Sequence, residues 1–224
     1  MFRGIILAAL LLAPLPAAAQ AEQQALVDRA TLAVQELMTT GDGLAEARDY
    51  LRRARAVMVC PRVFRAGFIF GGEGGPCVLV GRDGAGSWSS PAFYAMGSGS
   101  IGLQIGIQDA MVMMMIMTDR GLTAMMDSQF KLGADAALAF ATVGGSVQGA
   151  TKAAAGADIV AIARARGLFA GLSLQGSILS FQSGDVRAYY GRDLSARQLV
   201  VAMEAHNPAS DPLRAVLMRF GNAN

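Results

Sequence analysis

RAVMVCPRVFRAGFIFGGEGGPCVLVGRDGAGSWSSPAFYAMGSGSIGLQIGIQ, residues 55–108, is the stretch that decides the fold. Its apolar runs are short and rich in β-formers, and glycines punctuate them: Gly71 and Gly72, Gly74 and Gly75, Gly84 and Gly86. At its end Ile101, Leu103, Ile105 and Ile107 alternate with Gly102, Gln104, Gly106 and Gln108. A period of two predicts a strand with one buried face. Phe68, Ile69 and Phe70 face Val78, Leu79 and Val80 across the glycines, which predicts a hairpin with a glycine-rich turn.

Downstream, MVMMMIM at 111–117 is uninterrupted and apolar, as expected of a central strand buried on both faces. Seven of the 13 methionines lie between 111 and 126, which raises Cu(I) as a ligand for soft thioethers. Successive strand residues point to opposite faces, so neighbouring methionines cannot converge on one ion. Alternation over 130–140 predicts another strand. Residues 142–157 are small and polar, predicting a loop or a long hairpin tip. Two further strands, 159–165 and 168–181, would turn at Arg166 and Gly167 and bring Arg164 and Arg166 together near one end of the sheet.

Helices flank these strands. Leu26, Ala30, Ala33, Val34, Leu37 and Met38 fall at helical spacing over 22–38, and Gly41-Asp42-Gly43 interrupts them. A second helix is expected over 44–56, with Leu44, Ala47, Leu51 and Ala54 on one face. Arg48, Arg52 and Arg55 form a basic stripe on another face, with Arg53 beside it. Such a stripe is a solvated surface or a contact for anionic lipid head groups. Pro61 ends this region. Ser195 with Gln198 forms a capping box, Pro212 suits the first turn of a last helix, and Gly221 is a plausible stop.

At 224 residues and 53% hydrophobic, the chain fits one domain with a substantial core. A net charge of +2 lacks the dense cationic footprint of a nucleic-acid binder. The N-terminus reads as an export signal: Arg3 is the basic start, 5–13 the apolar segment, and Pro14 and Pro16 precede two A-x-A sites, cut after Ala19 or Ala21. The apolar run is shorter than the about 20 residues a spanning helix needs. Residues 1–21 are therefore expected to be removed, leaving 22–224 as a single exported domain. In an oxidising compartment Cys60 and Cys77 could form one disulfide; the alternative is two small buried side chains on neighbouring strands.

No motif points to catalysis. Gly97-Ser-Gly99-Ser-Ile-Gly102 has dinucleotide-fingerprint spacing but opens a strand rather than a helix. His206 is the sole histidine, and with Cys60 and Cys77 it cannot complete a metal set, so no metal or other cofactor is expected. Asp109, Asp119, Asp127, Asp135 and Asp158 are scattered singly, as turn and edge aspartates are.

Several of these segments together, ARAVMVCPRVFRAGFIFGGEGG, GSGSIGLQIGIQ, KLGADAALA and RGLFAGLSLQGS, resemble the SYLF lipid-binding domain, over roughly 44–199. That family includes actin-associated yeast proteins, an animal phosphoinositide-binding protein and exported bacterial proteins. Glu73, Gln108 and Gln175 look like the bacterial branch. The resemblance implies non-catalytic binding of anionic phospholipid through basic residues and an amphipathic N-terminal segment. It places family lysines on Arg65 and Arg166, the expected head-group contacts, with Arg164, Arg48, Arg52 and Arg55 in support. The residues themselves predict an α+β fold: a twisted or barrel-like antiparallel sheet of six to eight strands packed with N- and C-terminal helices. The expected setting is the periplasmic side of a bacterial envelope membrane, where actin would not be met. The alternative is a periplasmic scaffolding protein that recognises a protein partner through an edge strand or the 142–157 segment.

Overall fold

The computed structural model describes residues 15–41, 43–67, 70–101, 106–127, 129–142, 156–167, 174 and 176–222. A first helix, α1 (Leu15–Thr39), and a second, α2 (Leu44–Arg53), precede the sheet. Val27, Ala30, Val34, Leu37 and Met38 recur at helical spacing, and all are buried. Gly41 and Gly43 take positive φ, 109° and 76°, which lets the chain reverse between the two helices. The expected cleavage positions, Ala19 and Ala21, lie within α1, and residues 1–14 lie outside the described residues. Among the described residues no helix is long and apolar enough to cross a membrane.

Eight strands follow: β1 (Ala56–Gly67), β2 (Phe70–Gly81), β3 (Ala92–Ile101), β4 (Gly106–Ile116), β5 (Gln129–Lys131), β6 (Leu138–Thr142), β7 (Ile159–Gly167) and β8 (Ile178–Phe181). A short helix, α3 (Asp119–Met125), lies between β4 and β5, and α4 (Ser183–Tyr190), α5 (Ala196–Val200) and α6 (Asp211–Gly221) close the chain. The strands form one curled sheet in the order β5-β8-β3-β2-β1-β4-β7-β6. The α+β architecture with helices from both ends is the one expected.

Several strand assignments differ from those expectations. The glycines at 71–75 are no turn: they lie inside β2, and the ladder with β1 continues past them to Gly67 opposite Gly71. Pro61 does not precede the sheet but sits within β1. Lacking an N–H, it coincides with register shifts against both β2 and β4, between residues 59 and 64. A side chain at Gly75 would clash with the Arg62 carbonyl at this bulge, which explains a glycine there. The alternation over 101–107 spans two strands, because Ile101 ends β3 and Gly106 opens β4, with β2 and β1 between them in the sheet.

The expected strand over 130–140 is likewise two, β5 and β6, on opposite edges of the sheet. Gly133 at φ 80° and the Asp135 carboxylate, which accepts from the Lys131 N–H, break the run. β7 continues through Arg166 and Gly167, and β7 and β8 are not neighbours, so 159–181 is not a hairpin. β6 and β7 pair in parallel, making the sheet mixed and ruling out a hairpin tip between them. Residues 143–155 and 168–173 lie outside the described residues.

The methionine run forms a central strand as expected except at its ends, where Met111 is half-buried and Met117 lies beyond β4. Val112, Met113, Met114, Met115 and Ile116 of β4 are all fully buried, flanked by β1 and β7. Ser195 and Gln198 form the capping box of α5. Gly221, expected as a stop residue, is still helical; a Cβ there would press on Leu51 and Trp88, so close packing explains it. Cys60 and Cys77 are fully buried and joined in a disulfide across β1 and β2, with Cα atoms 4.1 Å apart.

Candidate anion-binding site

Of the arginines singled out in the sequence, Arg55 and Arg65 mark the two ends of β1. Arg55 precedes the strand and Arg65 lies near its far end; ten residues of extended chain separate them by roughly 33 Å. One head group cannot reach both.

At the far end Arg65 is mostly buried. Its Nε lies 3.8 Å from the Glu73 carboxylate directly across the β1–β2 ladder. Glu73 is itself buried and accepts hydrogen bonds from the Ser98 and Ser177 hydroxyls at 3.0 and 3.2 Å. A carboxylate in the stretch expected to form a glycine-rich turn is therefore the inward partner of Arg65. Arg166 is placed opposite Asp109 in the β4–β7 ladder, and its side chain lies outside the described residues.

Two more candidates brace the fold. Arg164 donates to Glu36 at 3.1 Å and to the Thr40 carbonyl at 3.0 Å, tying β7 to the end of α1. Arg48 donates twice to the Met38 carbonyl, at 3.2 and 2.7 Å, and lies over the Phe220 ring. It satisfies a carbonyl left over at the C-terminus of α1 while covering α6.

At the near end the remaining arginines gather. Arg52 and Arg53 are in the last turn of α2, where cations complement the helix dipole. They share the Asp49 carboxylate at 3.4 and 2.6 Å, yet 40% and 57% of their side chains stay exposed. Arg55 is 59% exposed and 3.6 Å from Asp119. Arg82 joins them because the ladder pairs Ala56 with Gly81 and the Arg82 N–H donates to the Arg55 carbonyl. Its guanidinium donates to the Arg52 carbonyl at 2.5 Å and to Asn222 at 2.9 Å, and lies over the Trp88 ring.

These four residues, with Ala54, Asp83, Gly84, Ala85, Gly86 and Met117, line a shallow basin of about 590 Å³. The Asp83 carboxylate faces its own loop, accepting from the Ala85 and Ser87 N–H groups at 2.9 and 2.8 Å. Sequence periodicity missed Arg82, which belongs to no stripe. Only the β1–β2 register brings it to Arg55.

The titratable groups with displaced ionisation are structural. The Asp158 carboxyl is held below its ordinary range chiefly by the Thr118 hydroxyl at 2.6 Å, with Arg120 and the Ala137 N–H acting the same way against burial. Burial pushes the Tyr94, Tyr189 and Tyr190 hydroxyls up. They donate to the Met125 carbonyl, the Gln24 side chain and the Pro91 carbonyl. Among the described residues no three His, Cys, Asp or Glu side chains converge as a metal set. His206 is exposed beside Asp211 and Arg214.

Comparison with known families matches residues 97–220 to Ysc84, described as Las17-binding protein actin regulator. The chain belongs to this family, the SYLF family whose motifs it carries. It is 30% identical over 172 residues to LAS seventeen-binding protein 3 of Saccharomyces cerevisiae, covering 75% of this chain and 37% of that protein. It is 29% identical over 208 residues to the SH3 domain-containing protein PJ696.02 of Schizosaccharomyces pombe, covering 91% and 48%. With the SH3 domain-containing YSC84-like protein 1 of Homo sapiens it shares 27% identity over 159 residues, covering 70% and 46%. The chain thus spans between about a third and a half of the length of these curated relatives.

Proposed function

We propose that this chain is a non-catalytic binder of anionic phospholipid surfaces at a bacterial envelope membrane, on the periplasmic side. The observation that carries the proposal is the basin at the near end of β1, where Arg52, Arg53, Arg55 and Arg82 converge from three segments. Guanidinium groups fork onto phosphate oxygens, and a cluster of exposed cations is attracted to an anionic leaflet by about 1 kcal/mol each. Membership of a family of binding regulators supports a binding role rather than a catalytic one. Export through residues 1–21, leaving 22–224 as one domain, is part of the same proposal and rests on the N-terminal sequence alone.

Vesicle co-sedimentation tests it. The protein should pellet with vesicles containing phosphatidylglycerol, pellet less as salt is raised, and stay in solution with purely zwitterionic vesicles. Absence of pelleting with any vesicle sinks the proposal and leaves the envelope protein partner, to be sought by cross-linking in intact cells.

A further inference from the structure

A second groove lies away from the arginine basin, between α1 and the strands beneath it. Its floor is Ala33 of α1, Pro61 of β1, and Ala110 and Met111 of β4, and Leu32 stands at its mouth. The volume is about 230 Å³. Leu32 is 63% exposed, a large apolar side chain left in water beside an apolar floor. Phe64, further along β1, is 42% exposed.

The charges at the rim are unequal. Arg62 is paired with Asp109 at 2.8 Å, and Arg164 with Glu36 at 3.1 Å, so both carboxylates that line the groove already have a cation. Arg29 also lines it, is exposed, and makes no side-chain hydrogen bond or ion pair among the described residues. An apolar slot with one uncommitted guanidinium at its edge is complementary to a molecule with an apolar chain and a single anionic end.

We infer that this groove binds a fatty acid, the carboxylate on Arg29 and the first part of the chain along Ala33, Pro61, Ala110 and Met111, with Leu32 folding over it. A slot of this size admits part of a chain and leaves the remainder outside. The ligand differs from the head groups of the basin, and the inference stands whether or not the basin binds membranes.

The test is calorimetric titration of the whole protein with saturated fatty acids of increasing length, each below its micellar concentration. Affinity should rise about fourfold for each methylene that enters the groove and then level off once it is full. The matching primary alcohols should bind at least tenfold more weakly, and Arg29→Ala should abolish that preference. Leu32→Asp sets a carboxylate at the mouth and should weaken the acids at least tenfold. Both substituted residues are exposed, so the fold should persist, and circular dichroism checks it. Pelleting with phosphatidylglycerol vesicles should be the same for Leu32→Asp and the parent, which separates failure here from failure of the membrane proposal. Affinity that climbs with length without levelling, acids and alcohols binding alike, or a dimer in sedimentation that covers Leu32 would each overturn the inference.

Discussion

The two ends of β1 carry the same residue type and use it in opposite ways. At one end Arg65 is folded inward against Glu73, and the pair is nearly closed to solvent. At the other, Arg52, Arg53 and Arg55 have weaker, solvent-screened partners and keep about half of each side chain in water. A buried charge pair gives little net stability but is costly to break, because the survivor remains unpaired in a poor dielectric. An exposed pair contributes almost nothing to stability and leaves its cation available. At the far end Arg65 is therefore held by Glu73, and the exposed cations on which the proposed function rests are those of the near end.

The largest expected effect comes from breaking the buried end. Glu73→Ala removes the buried carboxylate facing Arg65 and the acceptor of the Ser98 and Ser177 hydroxyls, and urea unfolding should show a loss of about 3 kcal/mol. The disulfide between the same two strands should matter nearly as much. Cys60 and Cys77 are 17 residues apart, so its removal by Cys60→Ala with Cys77→Ala should cost about 3 kcal/mol through the unfolded chain. Reduction of the parent protein should give the same unfolding midpoint as the double variant.

Asp158 sharpens the comparison with a pH signature. Its folded carboxyl is depressed, so its contribution is complete above the ordinary value of 3.8 and is lost as pH falls through the folded value. Acid unfolding curves should therefore steepen below about pH 4 for the parent. Asp158→Asn should be less stable at neutral pH and should flatten that limb. The smallest effect belongs to the near end, where replacing Arg52, Arg53 and Arg55 together with glutamine should change stability by only about 1 kcal/mol or less.

Much of the fold was legible in the sequence because it followed from periodicity. The apolar stripe of α1, the buried run at 112–116 and the Ser195 capping box each depend on neighbours within a few residues. What misled was register. Glycines inside β2 look like a turn when strands are read singly, and that displaces the Arg65–Glu73 pairing from view. Alternation at 101–107 has the same period on either side of a strand change. The break at Gly133 depends on a positive φ that a small residue allows but does not announce. The candidate site was half legible for the same reason: Arg52 and Arg55 lie on a visible stripe, whereas Arg82 reaches them only through the β1–β2 ladder. Arg48 and Arg164 share the charge and spacing of ligand-binding residues, and only their carbonyl and carboxylate partners reveal them as braces.

The most direct test of this division of labour compares two sets of substitutions in one titration. Binding to phosphatidylglycerol vesicles would be measured for the parent, for Arg52→Gln with Arg53→Gln and Arg55→Gln, and for Arg65→Gln with Arg166→Gln. The basin variant should lose at least tenfold in affinity and most of its salt dependence, while the second variant, if folded, should bind like the parent. Retained, salt-sensitive binding by the basin variant, with loss in the other, would contradict the account and return the head-group site to the far end of β1.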